Sequence, residues 1–257
     1  MKLIALRCGV LRTRTAGAFG GDPSPDAVGD VPVMCFAVDT GDGVFVFDTG
    51  MHEACCGAGA ADHLGPLSGI FEPRCGRDEL IDARLEQAGY ALDDIRWVCN
   101  SHLHFDHAGR NGVFRGARQL VRTRELADAH RRLSRPHGFL AADLAQVTDE
   151  GWDYDDRFDV TGDGSLTLVS TPGHTAGHQS LLVTFPDGAR FVCVGDASYV
   201  LSGIDRLAVG PRPLDASAAL DSLVLLRDLG RDGVTLLTSH DIGQWRHCTD
   251  LDLIHAA

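Results

Sequence analysis

No apolar run in this chain approaches the ~18 residues that a membrane-crossing helix needs, so a membrane is not an expected partner. A secretory signal is also missing. Met1-Lys2-Leu3-Ile4-Ala5-Leu6-Arg7 is too short and too soon charged for one, and reads as a first strand. The expectation is a cytoplasmic protein. No solenoid repeat and no low-complexity tract is visible. Positive charge is scarce: 23 Lys and Arg stand against 36 Asp and Glu, a formal net charge of −13. Phosphate backbones demand a basic face, so nucleic acid is not an expected partner either. The eight cysteines never show the Cys-x-x-Cys spacing of a structural zinc site. Without an export signal they read as reduced thiols. Cys35, Cys99 and Cys193 lie in apolar runs and read as small core residues. Cys55-Cys56 is adjacent and loop-borne, and could bind metal or oxidise; none of the eight is read as catalytic.

What is present fits one large layered domain. The chain has 257 residues, 44% hydrophobic and 23% charged, enough to bury a sizeable core. Residues 1–257 are read as a single unit. Strand-like runs at 33–38 and 44–48 flank Gly41-Asp42-Gly43, a hairpin pattern. A second hairpin runs through 180–185, Pro186-Asp187-Gly188 and 190–195. Helical spacing predicts a helix over 78–88, with Gly89 at its end. It predicts another over 217–229, with Leu220, Leu223, Val224 and Arg227 on one face and Gly230 as the stop. Residues 122–133 read as a basic surface helix. The stretches 51–76 and 134–163 are long and irregular, and are expected to wall a pocket.

The densest chemistry lies in Ser101-His102-Leu103-His104-Phe105-Asp106-His107-Ala108-Gly109, which follows the apolar run 95–99. Imidazole and carboxylate together are ligands for zinc or a similar transition metal. His102 and His104 are two apart, so in an extended segment they point the same way and can chelate one ion. Asp106 and His107 are free to face a second. Further ligand types follow three other strand-like runs: His174 after 166–170, Asp196 after 191–195, and His240 after 234–238. Loops beyond strand ends are where layered α/β folds build sites. His52, His63, His130, His137, His247 and His255 read as surface or packed residues, and Asp153, Asp155 and Asp156 as solvated.

The pattern His-x-His-x-Asp-His, then a distant His, Asp and His, resembles the metallo-β-lactamase superfamily. Within it the chain is most similar to the N-acyl-homoserine lactone lactonases. The segments that carry this are 101–109, Thr171-Pro172-Gly173-His174-Thr175-Ala176-Gly177-His178-Gln179-Ser180, Asp196-Ala197-Ser198-Tyr199 and Phe47-Asp48-Thr49-Gly50-Met51. The resemblance implies an α/β fold, a four-layer αββα sandwich. It implies two zinc ions: one on His102, His104 and His174, the other on Asp106, His107 and His240, with Asp196 bridging. A hydroxide between the metals would attack a lactone carbonyl. Tyr199 would stabilise the oxyanion, and Asp106 would pass a proton to the leaving alkoxide. Asp48 would hydrogen-bond a ligand histidine, His178 would be structural, and Phe105 would line the acyl-chain pocket.

The expected partner is a small lactone; the oligomeric state is left open. The rival within the class is a lactonase or esterase acting on another ring, such as a pyridoxal-derived lactone. A thioester hydrolase would carry a helical extension, and little chain follows His240. A non-catalytic metal-binding protein has no need of two complete ligand sets. Met34 stands where a Trp is often seen in that family and, with the Gly-rich loop 55–70, could touch the acyl chain.

Overall fold

The computed structural model describes residues 1–13, 28–133, 137–148 and 151–257. Its strands fall into two sheets. The larger has the order β12-β1-β2-β3-β5-β6, with β4 also paired to β1. Its strands are β1 (Lys2–Thr13), β2 (Gly29–Asp39), β3 (Val44–Phe47), β4 (Phe71–Arg74), β5 (Ile95–Cys99), β6 (Arg118–Leu120) and β12 (Leu251–Ala256). The smaller runs β11-β10-β9-β8-β7. It comprises β7 (Arg157–Asp159), β8 (Leu166–Ser170), β9 (Gln179–Thr184), β10 (Arg190–Cys193) and β11 (Thr235–Leu237). The helices are α1 (Ala60–Leu64), α2 (Ile81–Gln87), α3 (Phe105–Ala108), α4 (Thr123–Arg132), α5 (Ala141–Leu144), α6 (Leu201–Arg206) and α7 (Ala216–Arg231). No described helix is long and apolar enough to cross a membrane.

Side-chain alternation along the strands sorts the core into layers. On β2, Val33, Cys35 and Ala37 pack outward with Val44, Val46, Val98 and the α2 residues Ile81 and Leu85. Met34, Phe36 and Val38 point the other way. They meet Leu168, Leu181, Val183 and Cys193 of the smaller sheet. That sheet's outer residues, Leu182 and Val192, are covered by Leu223, Leu226 and Leu229 of α7. Helix, sheet, sheet and helix give the αββα sandwich that the resemblance implies. Phe36, Phe45 and Phe47 are fully buried between the sheets, each contributing roughly 1.5–3 kcal/mol relative to exposure.

Both hairpins form as the sequence predicts, with β2 against β3 and β9 against β10. The helices need correction. Residues 77–79 make a 3₁₀ turn, and Leu80 is extended before α2 begins. The cause is the Glu79 carboxylate, which turns back to accept the Gly76 N–H at 2.7 Å. Helix α7 is capped by Asp215, whose carboxylate accepts the N–H groups of Ser217 and Ala218. It runs through Gly230, and the turn is made by Gly233 at φ +83°. Its buried face is Ala219, Ser222, Leu223, Leu226 and Leu229, which leaves Leu220 exposed. Helix α4 is not a plain surface helix, since Glu125, Asp128 and Ala129 are buried. The stretch 51–76 is more ordered than expected. It holds α1, two 3₁₀ turns and β4, which pairs with β1 from Val10 to Thr13. Within 134–163, the described residues include α5 and β7; residues 134–136 and 149–150 lie outside the description.

Candidate metal centre

Seven residues from four strand ends converge at one edge of the sandwich. His102, His104, Asp106 and His107 come from the turn after β5 and from α3; His174 follows β8, Asp196 follows β10 and His240 follows β11. They form two groups: His102, His104, His174 and Asp196 in one, Asp106, His107 and His240 in the other. Oδ2 of Asp196 faces the first group, 3.4 Å from His174 Nε2 and 3.8 Å from His102 Nε2. Its Oδ1 faces the second, 3.1 Å from His240 Nε2 and 3.3 Å from His107 Nε2. Asp106 Oδ2 lies 3.7 Å from His240 Nε2 and 3.8 Å from His107 Nε2. His104 Nδ1 and His174 Nε2 are 3.1 Å apart.

These separations suit metal ions. Ligand atoms about 2.1 Å from one tetrahedral ion lie roughly 3.4 Å from each other. One ring nitrogen also lacks other employment: His102 Nε2 is buried without a hydrogen-bond partner. A buried polar atom left so costs on the order of 1–3 kcal/mol unless something fills the gap. The site's chemistry and spacing thus fit two divalent ions.

Neighbours fix which nitrogen each ring presents. Asp48 stands just past β3 at φ +64°, an uncommon backbone for a residue with a side chain. Its Oδ1 accepts the Ser101 N–H at 2.6 Å, and its Oδ2 accepts the Ser101 hydroxyl at 2.9 Å and His107 Nδ1–H at 2.8 Å. With its proton so committed, Ser101 Oγ can accept His102 Nδ1–H, 3.0 Å away. One carboxylate therefore turns Nε2 of both rings into the site. His240 Nδ1–H donates to the Pro32 carbonyl at 2.7 Å, with the same result. His178 is not in either group. Its Nε2 accepts the Asp196 N–H at 2.9 Å, and Nδ1 meets Thr171 Oγ1 at 2.9 Å, so it positions Asp196 through the backbone. Gly195, at φ +62°, leaves no room for a side chain: a Cβ there would lie 2.7 Å from Ser101 Cβ and 2.8 Å from His178 Nε2.

Electrostatics divides the histidines. Burial, reinforced by neighbouring imidazoles, holds His102 and His104 well below the usual range, and burial takes His174 to about 4. These rings are neutral and keep a lone pair for an ion. Burial also opposes charge on His107 and His240, but Asp196 and the other nearby carboxylates outweigh it and raise both. Burial, then Asp196 and Asp106, push the Tyr199 phenol well above its ordinary value, so it keeps its proton. The Tyr199 ring lies edge-on to His174 at 5.8 Å and tilted to His240 at 5.9 Å.

A cleft of about 160 Å³ opens onto His104, Asp106, His174 and Asp196. Leu67, Ile70, Phe71 and Phe105 give it an apolar wall; Tyr199 and Arg212 supply polar groups. Phe105 thus lines the cleft, packed 5.5 Å from Phe71. Residues 51–76 contribute to the wall as expected. His137, read from sequence as surface or packed, lines it too. Met34 does not, because its side chain lies in the inter-sheet core. His52 and His63 stack at 4.5 Å away from both ligand groups, and His255 pairs with Asp187 at 2.8 Å. Arg212, at φ +53°, went unrecognised in the sequence.

Glu125 was also missed. It is buried, and its carboxylate accepts the Leu103 N–H at 3.0 Å and the Gly177 N–H at 2.8 Å. Leu103 lies between His102 and His104, and Gly177 just past His174, so one side chain ties both loops. A Cβ on Gly177 would fall 2.5 Å from Glu125 Cβ. Burial raises the Glu125 pKa to about 7, despite hydrogen bonds that favour its carboxylate. An unfolded glutamate titrates near ~4.3. Between those values the folded chain keeps a proton that the unfolded chain has lost, so stability falls as pH rises through the window. Glu125→Gln cannot titrate. From pH 5 to 8 the metal-free wild type should lose about 2–3 kcal/mol of unfolding free energy relative to this variant, as denaturant titrations would read it. A difference that stays flat with pH would refute the assignment.

The model of the metallo-beta-lactamase superfamily matches residues 28–240. An N-acyl homoserine lactonase of a Bacillus species is 31% identical over 231 residues, 88% of this chain and 87% of that protein. The N-acyl homoserine lactonase AttM of Azorhizobium caulinodans is 30% identical, covering 84% of each. A solved N-acyl homoserine lactone hydrolase, with the product N-hexanoyl-L-homoserine at its catalytic metal centre, superposes with a TM-score of 0.82 at 25% identity. That match covers 97% of this chain and 96% of that one. The superfamily's ligand pattern is borne by the very side chains that the two sheets gather at one edge, and the chain belongs to the metallo-β-lactamase superfamily.

Proposed function

We propose that this protein is a metal-dependent hydrolase that opens the lactone ring of N-acyl homoserine lactones. The observation that carries the reading is Asp196, with one carboxylate oxygen toward each ligand group, beside an apolar cleft that holds Tyr199. The relatives' activity supports it. His102, His104 and His174 would hold one zinc ion; Asp106, His107 and His240 the other; Asp196 would bridge them. Two such ions, when bound, supply Lewis acidity and a water acidic enough to attack near neutral pH. We take residues 1–257 as a single domain acting in the cytoplasm, without nucleic acid or membrane partners.

The chain's own groups then divide the work. The apolar wall of Leu67, Ile70 and Phe71 receives the acyl chain and excludes water from it. The protonated Tyr199 phenol donates to the carbonyl oxygen as negative charge develops there. Asp106, which also lines the cleft, carries a proton to the departing ring oxygen.

Hydrolysis of a panel of acyl-homoserine lactones, a pyridoxal-type lactone, thioesters and β-lactams tests the reading. The metal-loaded protein should contain two equivalents of metal by elemental analysis and should prefer the acyl-homoserine lactones. Tyr199→Phe should keep its metal and lose roughly tenfold to a hundredfold in kcat. That is less than the 10²–10³ typical of a sole oxyanion donor, because the metal shares the task. No lactone turnover by the wild type would sink the function; unchanged turnover by Tyr199→Phe would sink the role of the phenol.

A further inference from the structure

The segment that forms the apolar wall of the cleft is closed at its base by two thiols. Cys56 stands just past the 3₁₀ turn Glu53–Cys55, and Cys75 just past β4. They are 19 positions apart in sequence, yet their sulfurs lie 3.1 Å apart. The ring between them contains α1, the turn Gly65–Gly69 and β4. Leu67, Ile70 and Phe71 of the cleft wall sit inside it. Both cysteines are free and half-buried, within reach of a small reagent. Cys55, next in the chain, is buried in the core instead.

We propose that Cys56 and Cys75 form a dithiol site that a low-molecular-weight disulfide oxidises, stapling the cleft wall at its base. A disulfide needs its sulfurs about 2.05 Å apart, so they must approach by only about 1 Å. Cys56 is the better nucleophile. Burial raises both thiols, but the hydrogen bond with Cys75 and the charge of Arg77 favour the Cys56 thiolate, while Cys75 is pushed further up by burial and by Cys56. The Cys56 thiolate attacks the small disulfide, forming a mixed disulfide and releasing one small thiol. Cys75, losing its proton, then attacks the Cys56 sulfur and releases the second. Two protein thiols are oxidised, one small disulfide is reduced, and the two protons leave on the released thiols.

The test uses the metal-loaded protein, incubated with excess oxidised glutathione, then unfolded and alkylated. The titratable thiols should fall from the eight in the sequence to six. Peptide mapping should join Cys56 to Cys75. Closing a ring of this size should raise Tm by on the order of 5–10 °C, reversibly with dithiothreitol. Protease cuts between the two cysteines should become rarer. In Cys75→Ser the glutathione should remain on Cys56, with no rise in Tm. Retention of all eight thiols, a bridge that maps elsewhere (Cys8 and Cys35 touch in the core) or a bridged protein with unchanged Tm would each overturn the proposal. The comparison of oxidised with reduced wild type needs no variant to fold.

Discussion

Asp196→Ala should strip the protein of metal and lower lactone turnover by about 10⁴ or more, while His178→Ala should do far less of either. Among the described residues Asp196 offers an oxygen to each of the two groups, at 3.4 Å from His174 Nε2 on one side and 3.1 Å from His240 Nε2 on the other. Without it, His107 and His240 lose a carboxylate that holds them protonated only in the absence of an ion and that would share an ion in its presence. The chemistry at stake is large, since activating water for attack means moving its pKa from 15.7 to about 7. His178 contributes one accepted hydrogen bond, from the Asp196 N–H at 2.9 Å. Its removal leaves that N–H buried and unpaired and a hole in the packing, costing roughly 2–4 kcal/mol of stability. Turnover should drop by only about tenfold to a hundredfold, because Asp196 stays close to its place. Elemental analysis of both purified variants and a lactone assay at saturating metal would check this. Metal retained by Asp196→Ala and lost from His178→Ala would reverse the roles given to the two side chains.

The turns that carry the two groups were legible because each joins two local signals: an apolar run that must be a strand, and a His or Asp just past its end. His102, His104, Asp106, His107, His174, Asp196 and His240 come together for that reason. Asp48 was legible in the same way, as a carboxylate ending β3. Glu125 was not. A glutamate in the first turn of an arginine-rich helix looks solvated, and only the docking of the loops at 103 and 177 buries it. Arg212 lies between Pro211 and Pro213, outside any periodic pattern, and its place at the cleft is set by contacts remote in sequence. Met34 fails for a different reason. Both parities of β2 are apolar, so the sequence cannot say which one faces the helices and which the second sheet. In α7, Ala219 and Ser222 are buried where Leu220 is not; small residues let the helix approach the sheet, and hydrophobicity alone picks the wrong face.

Asp106→Asn separates proton transfer from metal binding, and its expected effect is a loss of about 10³ in kcat, within the 10²–10⁴ that a positioned acid or base contributes. The substitution keeps the shape of a side chain that lines the cleft 3.7 Å from His240 Nε2. It removes the carboxylate that stands with His107 and His240 in the second group. An amide neither carries a proton to an alkoxide nor binds a divalent ion as well as a carboxylate, so two losses are mixed. Excess metal in the assay should restore occupancy, read by elemental analysis after rapid desalting, without restoring kcat. The leaving group then isolates the rest. A ring-opening alkoxide is a strong base and needs a proton as the bond breaks. A thiolactone of the same acyl chain releases a thiolate, stable without one. The loss on Asp106→Asn should therefore shrink from about 10³ on the lactone to less than about tenfold on the thiolactone. An equal loss on both substrates at full occupancy would mean that Asp106 serves only to hold its ion, and that the ring oxygen finds its proton elsewhere.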